Sequence, residues 1–226
     1  MAEQGIKFSM KVNDAQLVAK TQEMAAATGR TVAEQSRLTM KALVKIALTY
    51  TPPANQRIPM GKAAQGVGEV AIVRDMKKLF VPVELKHKRA EKWPDPHALH
   101  REAFATGKIT TPLVRYRVDK AKLTALKTTL QSHVGLLASG WARAAQTLEV
   151  PLPAWVARWS GSDRGTPLQM SQQKNKIFFK VTNHIPTTAE AIALQLIRLV
   201  QFAKKAQVNS MTRQIPYILR HNLSKK

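Results

Sequence analysis

Apolar residues recur along the chain with two periods. From Gly5 to Val12 they alternate (Ile6, Phe8, Met10, Val12), as in a short half-buried strand. At Asn13 the period lengthens to that of a helix. Asn13 with Gln16 makes a loose capping box, and Gly29 follows as the natural stop after about Ala27. Thr31-Val32-Ala33-Glu34 is a second capping-box signature. It starts a helix to about Tyr50 with Leu38, Leu43, Val44, Ile46 and Ala47 on its apolar side, closed by Thr51-Pro52-Pro53.

Residues 51–60 are expected to form a loop. Val67, Val70, Ala71, Ile72, Met76, Leu79 and Phe80 predict a helix over 61–80, and Val81-Pro82-Val83 an extended segment. Residues 86–96 have the composition of an exposed basic loop. A helix is expected from Asp95 to Ala105. Leu113 to Val118 is the clearest central strand, after which Asp119 caps a helix to about Leu130.

The chain is organised around Ser132 to Trp159. Val134, Leu137, Trp141, Ala145 and Leu148 share a helical face, with Ser132 as N-cap. Gly135, Ala138, Ser139 and Ala142 form a second, small-residue face that lets another backbone come close. Pro151 and Pro153 stop the helix, and Ala154-Trp155-Val156 resumes the apolar run. Trp141, Pro153 and Trp155 are therefore expected to form a packing corner. Strands are expected at 168–171 and 175–181. A last helix from about Thr187 carries Ile192, Leu196, Leu199, Val200 and Ala203 and ends near Ala206. The expected fold class is α+β, helix-rich with a small, mainly antiparallel sheet and long N- and C-terminal helices. Three stretches divide it: an N-terminal strand and helical region (1–53), an α+β core (54–206) and a basic C-terminal tail (207–226). In the tail, Ile215, Tyr217, Ile218 and Leu219 could dock on a neighbour.

Composition changes this picture in one respect. Hydrophobic residues make up 44% of the 226, enough for a core, with no run long enough to span a membrane. The N-terminus has no apolar signal core, so Sec-type export is not expected. There is no cysteine, hence no disulfide framework or thiolate metal site. The outlier is charge: 36 Lys and Arg against 14 Asp and Glu, a formal +22. Such a field attracts polyanions. The densest basic patch is Lys86-His87-Lys88-Arg89-Ala90-Glu91-Lys92, and Lys204-Lys205 is a lesser one. Lys86, Lys88, Arg89, Lys204 and Lys205 are the candidates for contact with DNA or a partner. Aromatics are only 6%, which gives little support to a base-stacking platform.

Candidate chemistry is thin. Gly66-Val67-Gly68-Glu69-Val70-Ala71 has the letters of a dinucleotide fingerprint, but no hydrophobic strand precedes it. His97 and His100 are three apart, yet a metal needs further ligands and no matching pattern is present. There is no nucleophile elbow, no phosphate-binding Walker loop and no close acidic pair. The expectation is no enzyme, no cofactor and no metal.

Three segments carry a family likeness: the helix ending Thr51-Pro52-Pro53, the stretch Val134 to Trp141 leading to Pro153-Ala154-Trp155-Val156, and the strand ending in an Asn183-to-Pro186 turn. With RDMKKLFVPV and RYRV between them, they resemble the neck, head-tail connector and tail-completion proteins of tailed bacteriophages, over most of residues 38–206. The resemblance implies a non-enzymatic virion protein made in the host cytoplasm. It would form a homo-oligomeric ring at the neck, touching portal, adaptor or tail proteins and passing double-stranded DNA without sequence readout. The alternative is a basic, sequence-nonspecific nucleic-acid-binding protein. No membrane partner is expected.

Overall fold

The computed structural model describes residues 8–11, 15–54, 62–84, 93–107, 115–159, 169–173, 176–183 and 190–223. Local capping chemistry accounts for several helix starts. Helix α1 (Ala15–Thr28) ends at Gly29, whose φ of +68° is a left-handed stop. Helix α2 (Val32–Tyr50) begins with a full capping box: Thr31 Oγ1 accepts from the Glu34 N–H, and Glu34 accepts from the Thr31 N–H at 3.0 Å. Helix α3 spans Lys62–Leu79 and runs into strand β2 (Phe80–Val83). Asp95 caps helix α4 (Pro96–Ala105), with proline in the first turn where its missing N–H does no harm. Strand β3 (Tyr116–Asp119) follows, and Asp119 in turn caps helix α5 (Lys120–Ser132) through the N–H groups of Ala121 and Lys122.

The tryptophan-rich stretch departs from the sequence expectation. Ser132 closes α5 instead of opening a new helix, and residues 133–135 turn the chain. Gly135 is left-handed (φ +98°) and separates α5 from α6 (Leu136–Ser139); a second break at Gly140–Trp141 separates α6 from α7 (Ala142–Thr147), so the anticipated single helix is not formed. Pro153 then precedes α8 (Ala154–Ala157). Strands β4 (Gln169–Gln173) and β5 (Lys176–Asn183) lead to α9 (Glu190–Leu223). The last helix was expected to stop near Ala206; it continues through the stretch read as a tail.

The expected fold class needs correction. Helices dominate, and the strand read as central does not lie in an antiparallel sheet. β3 pairs with β2 in parallel, Phe80 opposite Tyr116 and Val83 opposite Asp119, as an isolated two-stranded sheet. It is a short β-α-β unit, with α4 as the crossover that a parallel pair requires. The antiparallel ladder is separate: β5 lies between β1 (Phe8–Lys11) and β4. One mainly antiparallel sheet therefore does not organise the chain, whose bulk is helix packed on helix. The long helices expected near both ends are present as α2 and α9.

Three clusters of buried side chains hold this arrangement. The largest joins α1, α2, α7 and α9 through Leu17, Met40, Leu43, Trp141, Leu148, Val200 and Met211, among others. A second, around Met76, Leu79, Phe80, Ala103, Val118 and Leu126, belongs to the α3–α5 region. Between them lies a small seam of Ala54, Ala64, Val134, Ala138, Trp155 and Val156. Glycines make the seam possible. A Cβ on Gly68 would sit 2.9 Å from the Pro53 ring and 3.0 Å from Val134; one on Gly135 would sit 2.6 Å from the Trp155 ring.

Candidate nucleic-acid interface

Helix α9 presents a long cationic face. At 1.5 Å per residue its 34 residues extend about 51 Å. Leu196, Leu199, Val200, Ala203, Val208 and Met211 are buried. Ile215 and Ile218 continue the same side against the largest cluster. That burial explains why the helix persists beyond Ala206: the apolar period does not stop there. It also turns Arg198, Lys205, Arg213 and Arg220 outward, all exposed. Their spacings of seven, eight and seven are each close to two helical turns, so they share one face. Along an unbent helix Arg198 and Arg220 would lie about 33 Å apart; Pro216 falls inside the helix between Arg213 and Arg220.

No aspartate or glutamate follows Glu190 in the sequence. Among the described residues, no carboxylate lies within ion-pairing distance of these four cations. Elsewhere, several cations are paired with acids. Glu149 lies between Arg37 (3.7 Å) and Lys41 (3.8 Å), and Asp75 contacts both Arg74 and Lys78. Lys120 donates to Glu84 at 2.6 Å, which lowers the Glu84 pKa and raises that of Lys120. On the α9 face, exposed aromatics alternate with the cations. Phe202 meets Tyr50 edge-on at 5.4 Å, and Tyr217, 73% exposed, stacks on His221.

The residues singled out in the sequence are not gathered into one place. Lys205 lies on the outward face, whereas neighbouring Lys204 is half-buried on the helix flank. Lys86, Lys88 and Arg89 fall outside the described residues. Arg213 and Arg220 lie beyond the expected end of the helix; continuing the apolar period through Val208, Met211, Ile215 and Ile218 finds them, whereas Arg198 lies within the expected helix and stands alone in sequence, outside any basic cluster.

Trp141 and Trp155 lie in different clusters, bridged by half-buried Leu152. The Trp141 indole N–H donates to the buried Thr51 hydroxyl at 3.1 Å, and that hydroxyl donates to the Ala47 carbonyl at 2.6 Å. Pro153 is half-buried at the start of α8. Gly66 and Gly68 lie inside α3, so the dinucleotide-like letters do not form a strand-to-helix phosphate loop. His97 and His100 share α4. Burial, and secondarily the neighbouring His97, lowers the His100 pKa. Among the described residues, no group of three or more His, Cys, Asp or Glu could hold a metal, and no helix is long and apolar enough to cross a membrane.

Comparison with known proteins adds no assignment: no family model, curated protein or solved structure matches the chain.

Proposed function

We propose that the chain is a structural virion protein of a tailed bacteriophage, a ring-forming neck, head-tail connector or tail-completion subunit around the DNA channel. The observation that carries this reading is the outward face of α9, cationic and free of carboxylates on a chain of net charge +22. Copies placed side by side in a ring would repel one another unless a polyanion or acidic neighbours neutralised them. DNA passing through the centre would do so through its phosphates, with no base readout. The segments resembling neck proteins favour this setting. Portal, adaptor or tail proteins would be the neighbouring partners, and the role is structural, with no cofactor.

A second reading uses the same face: a sequence-nonspecific nucleic-acid-binding protein that works as a monomer. Mass measurement in solution and negative-stain imaging, at low and high salt and with and without DNA, separate the two. Rings that persist without DNA support the virion reading. A monomer that coats DNA at low salt and leaves it at high salt supports the second. A strictly monomeric protein that also binds no virion component sinks the first.

A further inference from the structure

From the geometry of α9 we infer that its outward stripe is a docking rail for the phosphate backbone of duplex DNA, with Arg198, Lys205, Arg213 and Arg220 as the contacting groups. This rests on reading α9 as the DNA-facing side of the subunit. On an unbent helix the axial distance from Arg198 to Arg220 would be about 33 Å, close to one turn of B-form DNA, about 34 Å; Pro216, inside the helix between Arg213 and Arg220, bears on the last interval alone. The cations recur at nearly constant intervals of about 10–12 Å with no carboxylate among them. A regular polyanion suits that spacing better than a protein surface of mixed charge. A lipid surface fits poorly: the main apolar side of α9 is buried by α1 and α2, and its exposed apolar residues, Ile197, Phe202, Tyr217 and Leu219, are scattered around the helix and make no continuous face to enter a bilayer interface. Arginine, at three of the four positions, offers a planar fork of donors matched to phosphate oxygens. Asn209 and Thr212, exposed between the cations, add neutral donors and no repulsion.

The test is binding of the full chain to two 30-base-pair duplexes of unrelated sequence, by fluorescence anisotropy from 50 to 300 mM salt. The variants are R198Q/K205Q/R213Q/R220Q, the equally neutralised control K77Q/R101Q/R117Q/K122Q, and R213Q alone. Each contact contributes about 0.9 to the slope of log affinity against log salt. The fourfold stripe variant should therefore lose about 3.6 from the slope, and about a thousandfold in affinity near 0.1 M salt. R213Q should lose about 0.9, which keeps the test available if the fourfold variant misfolds. Both duplexes should respond alike, and the control should keep its slope within about one.

An unchanged slope in the stripe variants overturns the rail. So does an equal loss in the control, because net charge would then be responsible. Tighter binding to phosphatidylserine vesicles than to duplex, abolished by the same variants, also overturns it in favour of a lipid surface. Negative-stain images of the same samples separate this inference from the ring reading. Wild-type rings with an unchanged variant slope remove the rail alone. A monomeric wild type whose slope falls in the variants keeps the rail and removes the ring.

Discussion

Alanine at position 135 should be among the most damaging single-methyl additions to this protein. Two penalties coincide there. The backbone is left-handed at φ +98°, where a residue with a Cβ is destabilised by about 1–3 kcal/mol. The new methyl would also lie 2.6 Å from Trp155 Cε3 and 2.7 Å from the Trp155 carbonyl oxygen, the second a backbone atom that cannot swing aside. Overpacking of this kind adds about 1–3 kcal/mol. Together they give about 4 kcal/mol, a large share of the 5–15 kcal/mol typical of a folded domain. For a chain of this length that corresponds to a melting-point drop of roughly 8–16 °C. Two other glycines calibrate the reasoning. Gly29 has a positive φ but nothing within 4 Å of its Cβ position, so G29A should lose only the backbone part. Gly66 is helical, with open space around it, so G66A should gain up to about 1 kcal/mol. Urea titrations followed by tryptophan emission and far-UV circular dichroism would rank the three. A G135A variant within 1 kcal/mol of wild type, or a G66A variant as unstable as G135A, would refute the argument.

The Trp141–Thr51 contact yields a second expectation. T51V removes the hydroxyl that accepts from the buried indole N–H and should lose about 1–3 kcal/mol. In a W141F background the same change should lose clearly less, and a double-mutant cycle with no coupling would contradict the pairing. Glu34 supplies a pH dependence. Its hydrogen bonds to the Thr31 backbone and hydroxyl lower its pKa from the usual 4.5. With the folded pKa depressed, its contribution is fully present above the unfolded pKa and is lost as pH falls through the folded value. The melting-point difference between wild type and E34Q should therefore shrink on acidification below about pH 4.5; a constant difference would remove Glu34 as the source.

What could be read from the sequence was chiefly what neighbouring residues decide among themselves. Thr31 with Glu34, Asp95 before Pro96, and Asp119 before Lys120 are complete capping signals within a few residues, and each caps its helix. The capping read at Asn13 lies outside the described residues. The break at Gly135 was hidden because its cause is Trp155, twenty residues on, whose ring and carbonyl occupy the space beside it. The partner of β3 was equally hidden. Four residues carry no mark of parallel or antiparallel pairing, and the choice follows from the α4 crossover. The cationic face was partly legible. Lys205 was singled out as a basic neighbour of Lys204, but only the helix separates one to the surface and the other to the flank.

The narrow seam between the two larger cores sets how the molecule should breathe. Its small cluster includes three alanines and a single large side chain, Trp155, whose indole N–H has no hydrogen-bond partner among the described residues. Apolar area removed from water there is small beside that of either neighbour, so separating the regions exposes less surface than melting one of them. Backbone amides of α3, α4 and α5 should then exchange with deuterium as one cooperative unit, and those of α1, α2 and α9 as another. A chain that opens in two steps lets one region loosen while the long cationic helix stays folded.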